Sequence, residues 1–150
     1  MEKIFHTGEK IFFTTLIICI ISYLYFTILP LNDITISIGC IFLLIYFGVN
    51  FFVGSTSDLK ITESIIVGII GSFMGLFLSI FALYAQLIME NYELAMWIIK
   101  PYYAPTMSLI NLYFDEVTIF YPIILIFINI FLVVMGTISN RIMNKFMIKI

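Results

Sequence analysis

Four long apolar stretches, at residues 11–29, 34–54, 65–89 and 119–138, divide this chain and leave its few charges to the gaps between them. A bilayer's hydrocarbon core asks for about 20 apolar residues per spanning helix, and each stretch supplies about that many. The pattern predicts an all-α integral membrane protein, a four-transmembrane-helix bundle forming a single domain over 1–150. Hydrophobic residues are 63% of the chain and charged ones 11%, against about 45–50% and 25% in soluble domains. A soluble fold of this size has too little interior to hide that much apolar surface. The lipid bilayer is therefore the first expected partner.

Lys and Arg positions set the expected threading. Lys3 and Lys10 precede the first stretch, Lys60 lies in the second connection, and Arg141, Lys145 and Lys149 follow the fourth stretch. Only Lys100 falls in the third connection, 90–118. With both termini cytoplasmic, six of the seven basic residues lie inside, so the predicted location is the cell membrane, N-in and C-in. The start resembles a secretory signal in its basic flank alone. Its apolar run exceeds the usual length of about 7–15 residues, and no small-residue cleavage site follows. It reads as a retained span.

The third connection is the only long one. Residues 94–114 are apolar enough to suggest a fifth span, but Pro101 and Pro105 would each remove a backbone hydrogen bond, and lipid offers no water to replace it. A fifth crossing would also carry the basic tail outside. The segment is thus expected to be interfacial or re-entrant. Its rings include Trp97, Tyr102 and Tyr103, which suit headgroup anchoring or an outward recognition surface. Its acidic residues, Glu90, Glu93, Asp115 and Glu116, read more simply as solvated helix ends than as a cation site. At the C-terminus, Arg141, Lys145 and Lys149 recur every four residues and share a helical face. They predict a short amphipathic tail that bends along the inner membrane surface.

Gly68, Ser72, Gly75, Ser79, Ala82 and Gln86 follow at steps of four, three, four, three and four, a heptad seam of small and polar residues. Gly71 and Gly75 add a small-xxx-small pair. Lipid provides no hydrophobic drive between helices, so close backbone approach must supply the attraction. These seven are the candidate helix-packing residues, and Gly75 is expected to tolerate a larger side chain less well than Gly39. Thr15, Cys19 and Ser22 form a lesser small-residue line in the first span, and Pro122, Asn129 and Gly136 one in the fourth. Asn129 and Asn50 are the candidate buried polar residues. Facing lipid unpaired would cost an amide several kcal/mol, on the order of 2–7, while pairing in membranes yields about 0.6 kcal/mol. Such residues fix orientation more than they add stability.

No charge lies within the four stretches. Ion-coupled carriers and intramembrane hydrolases place acids, bases or cations at that depth despite the cost. His6 is the single His, and Cys19 and Cys40 read as small buried hydrophobes. No catalytic, metal or cofactor residues are assigned, and no nucleic-acid partner is expected. The leading functional reading is a non-enzymatic multi-pass protein that packs against other membrane subunits or its own copies, as a permease accessory, an assembly factor or a protective protein. The alternative is an oligomeric transporter or pore for a small neutral or lipid-like solute, with Asn50, Asn129, Ser72, Ser79 and Gln86 as its polar line. A membrane enzyme, resting on the loop carboxylates, comes third.

Overall fold

A computed structural model describes residues 2–113 and 117–147, and for Met147 the backbone only. Helix α1 runs Glu2–Ile28, α2 Asp33–Thr56, α3 Ile61–Gly71, α4 Phe73–Leu87, α5 Tyr92–Tyr103, α6 Met107–Tyr113 and α7 Tyr121–Met147, with a 3₁₀ turn at Ala104–Thr106. No strand occurs among the described residues. Helices α1, α2 and α7 are long and apolar enough to cross a membrane, and a fourth crossing is present if α3 and α4 form one bent span. Many large apolar side chains face outward, including Leu44, Ile80 and Phe127. In water they would carry a heavy hydrophobic penalty, and hydrocarbon removes it.

The helix ends follow from local chemistry. Asn32 accepts the Thr35 N–H at 2.8 Å and so caps α2, and Asn91 accepts the Leu94 N–H at 2.9 Å and caps α5. Each satisfies one of the donors that a helix start leaves open. Between α4 and α5 the chain turns sharply at Glu90, whose φ of 51° lies in the left-handed region. The Asn91 N–H then reaches back to the Ala85 carbonyl at 3.0 Å, which folds α5 antiparallel onto α4.

The third apolar stretch is not the single helix expected from its seam. It breaks at Ser72, and α3 and α4 are inclined by 53°. Gly71 has little helix preference, and Gly–Ser pairs are common sites of sharp kinks. Ser72 leaves the helical region at φ −95°, ψ 9°, and its N–H is shared between the Gly68 and Ile69 carbonyls at 3.0 and 3.2 Å. The heptad seam therefore turns a corner.

One further expectation changes. Helix α7 continues unbroken to Met147, so the tail does not turn away along a surface within the described residues. Its backbone has no proline or Gly–Ser pair there to end the helix. Lys149 lies outside the described residues. The segment after α5, for which interfacial and re-entrant placements were both open, folds inward, where the 3₁₀ turn packs on α1 and α2 and α6 packs on α2. Pro105 cannot donate an N–H, and it sits within that turn.

Both described chain ends meet at the connection between α2 and α3. The Lys3 ammonium donates to the Asp58 carbonyl at 2.6 Å, and the Arg141 guanidinium donates to the Leu59 carbonyl at 3.0 Å. The start of α1 and the far part of α7 thus share one end of the bundle. A small apolar cluster of Ile11, Leu59, Val67 and Val133 closes that end, and a larger one fills the rest around Tyr46, Ile99, Tyr102 and Leu125.

Candidate functional site

Among the described residues, mutually hydrogen-bonded polar side chains gather in the apolar interior where α2, α5 and α7 converge. Thr35, Gly39, Tyr46, Asn50 and Gly54 are the buried residues of α2. Their spacing of four or seven puts them on one face, which turns inward. Asn129, nine residues into α7, meets that face. Its Nδ2 donates to the Tyr46 hydroxyl at 2.7 Å and to the Tyr102 hydroxyl at 3.2 Å. Its Oδ1 accepts from Asn50 Nδ2 at 3.4 Å, and that nitrogen also donates to the Tyr46 carbonyl at 2.8 Å. Tyr46, Asn50, Tyr102 and Asn129 are each at least 98% buried, so these bonds replace solvent entirely.

Tyr102 reaches this position because α5 lies back along α4. A Cβ at Gly75 would come within 2.7 Å of the Tyr102 hydroxyl and closer still to its ring, so only glycine leaves room for the phenol. The Cys19 thiol of α1 donates to the Tyr102 carbonyl at 3.5 Å. One residue of the long connection is thereby tied to α1, α4 and α7. Ser72 lies beside the Tyr102 hydroxyl, yet its Oγ completes no hydrogen bond of good geometry. The Oγ atoms of Ser79 and Ser108 share that condition among the described residues.

The seam residues Gly68, Gly71, Ser72, Gly75, Ser79 and Ala82 are buried, and Gln86 is half-exposed. Their partners differ. Gly68 faces Ile130 of α7, Gly71 faces Ile11 of α1, and Gly75 faces Tyr102. The bend at Ser72 turns Gly71 and Gly75 toward different neighbours, so they do not act as one small-xxx-small face. All three glycines are occupied within the monomer. Gly39, expected to be the tolerant comparison, is just as crowded: a Cβ there would strike Phe26 and Ser108.

Trp97 is 63% exposed, whereas Tyr102 and Tyr103 are 2% and 5% exposed. The outward surface of three rings is therefore reduced to Trp97, with Lys100 lying 5.7 Å over its ring. Tyr102 is drawn inward against Gly75, and the Tyr103 ring meets Tyr121 edge-on at 6.0 Å. Glu90 and Glu93 are exposed, while Asp115 and Glu116 lie outside the described residues. His6 is exposed, 3.9 Å from Glu9.

The sequence reading missed Tyr46 and Tyr102 as polar partners and Gly54 as a contact. The signal was present in the Tyr46–Asn50–Gly54 spacing. Gly54 and Gly136 let α2 and α7 meet backbone to backbone, since Cβ atoms there would strike the Val133 and Phe51 carbonyls. The Thr137 hydroxyl adds a 3.4 Å bond to the Gly54 carbonyl. No family model, curated protein or solved structure matches this chain.

Proposed function

We propose that this chain is a non-catalytic multi-pass membrane subunit that acts by packing against other membrane proteins, in an accessory, assembly or protective role. In this reading α1, α2, the bent pair α3–α4 and α7 are four crossings, both termini are cytoplasmic, and α5–α6 is a re-entrant element. The 12 residues of α5 extend about 18 Å at 1.5 Å per residue, more than half of a core about 30 Å thick. The observation that carries the functional reading is the closure of the polar cluster. Asn50, Asn129, Tyr46 and Tyr102 satisfy one another, and the small residues of the seam are spent inside the chain. What remains for the surroundings is an uncharged face of Ile, Leu and Phe, suited to helix partners and lipid. Mild-detergent co-purification from native membranes tests this. A stoichiometric larger membrane partner supports it, and a chain recovered only with itself counts against it.

A second reading, an oligomeric pathway for a small neutral solute, draws on a different observation. Broken helices and re-entrant backbone at membrane depth are tolerated where they are buried in protein or line a cavity, and transporters place their sites at such breaks. The break at Ser72 and the unpartnered hydroxyls of Ser72 and Ser79 lie beside that element.

A further inference from the structure

Two grooves flank α1 on its outer surface, and they differ in the charge at their mouths. Toward α3, a groove lined by Phe12, Phe13, Ile70 and Phe73 has Glu9 at its edge. Toward α2, a groove of about 550 Å³ is lined by Ile45, Gly48, Val49, Phe52 and Val53, with Lys10 and Thr14 on the α1 side. Gly48 keeps this second groove open, since a Cβ there would meet nothing within 4 Å. The Thr14 hydroxyl is satisfied by the Lys10 carbonyl at 2.8 Å. The Lys10 ammonium, by contrast, has no hydrogen-bond or ion-pair partner among the described residues.

Lys10 immediately precedes the apolar run of α1, the level at which lysine meets headgroups. From Val53 to Ile45 the groove runs eight residues along α2, about 12 Å at 1.5 Å per residue, into the apolar zone. A cation without a partner over an uncharged groove selects an amphiphile with an anionic head and an alkyl tail. We propose that this groove binds an anionic phospholipid, its phosphate on Lys10 and one acyl chain along Ile45, Gly48 and Phe52. Glu9 repels the same headgroup from the groove on the opposite side of α1. The site rests on the membrane reading alone and requires no protein partner.

Native mass spectrometry of the full chain, released from mild detergent with phosphatidylglycerol or phosphatidylcholine of matched acyl chains, tests the site. Phosphatidylglycerol is retained in preference. Lys10→Gln lowers that preference about fivefold, the factor one cation near an anionic surface is worth. Lys145→Gln, at the same end of the molecule but away from the groove, leaves it unchanged. Gly48→Phe, at a position where an added Cβ meets nothing within 4 Å, fills the groove and lowers retention of both lipids. Equal retention of the two lipids, or an unchanged preference in Lys10→Gln, overturns the proposal. So does a Gly48→Phe chain that alters protein association while lipid retention stays the same. None of these readouts depends on a co-purifying partner, so they stand apart from the test of the subunit role.

Discussion

Asn129 donates to the Tyr46 hydroxyl at 2.7 Å and so ties α7 to α2 in the middle of the bundle. The same nitrogen reaches Tyr102, and the amide oxygen accepts from Asn50. One side chain therefore orders three elements. Asn129→Leu removes one hydrogen bond from each of the Tyr46 and Tyr102 hydroxyls and the Asn50 amide, of which Asn50 keeps the Tyr46 carbonyl; a buried group left unsatisfied costs about 1–3 kcal/mol. Thermal unfolding in detergent should show a clear fall in Tm. Tyr46→Phe should cost less alone, and the double variant less than the sum, because the two residues share one bond. Strict additivity would contradict the network.

Gly75 is the point where the α5 segment is admitted. Gly75→Leu drives a side chain into the Tyr102 ring, and overpacking of this kind costs about 1–3 kcal/mol in cores that can adjust. Tm in detergent should fall, with a comparable fall for Gly39→Leu and little change for Gly48→Leu. Gly75→Leu and Tyr102→Ala together should cost less than the sum of the two single losses, because the leucine then enters the space the ring has left. Strict additivity would mean that the leucine disturbs something other than the phenol.

Trp97 and Tyr102 should separate surface from interior. Trp97→Ala should leave Tm nearly unchanged and reduce recovery of a co-purifying membrane partner. Tyr102→Ala removes a buried ring, with a loss of about 3–5 kcal/mol by analogy with other buried aromatics, and should lower Tm whether or not a partner is present. A large Tm loss at Trp97 would reverse the assignment.

Threading can be read by thiol labelling of intact cells in a chain whose Cys19 and Cys40 are replaced by Ala. A single cysteine at Tyr113, which is exposed, should label from outside, and one at Lys145 should not. Labelling of both or of neither would overturn the N-in, C-in arrangement.

How much was legible follows from which forces act locally. The long apolar helices were readable because lipid imposes length and hydropathy on each segment by itself. The inward face of Asn129 was readable because an amide has few tolerable alternatives in hydrocarbon. The break at Ser72 was less so, since Gly71 and Ser72 also fit a straight packing seam, and only the neighbours Ile11 and Tyr102 decide otherwise. Tyr102 was misread as a surface ring for a similar reason. Aromatic residues between prolines suit an interface, and nothing in 94–114 announces that Gly75 has left space for one of them. The corner at Glu90 that brings the two together depends on a backbone conformation uncommon for residues other than glycine.

A closed polar interior that serves packing rather than passage admits no solute. Its most direct test is the permeability of liposomes containing the purified protein alone to small neutral solutes such as glycerol and urea. Uptake no faster than in protein-free liposomes is expected, for the natural chain and for Asn129→Leu alike. Protein-dependent uptake that Asn129→Leu abolishes would contradict it and place a solute pathway through the Tyr46–Asn129–Tyr102 cluster.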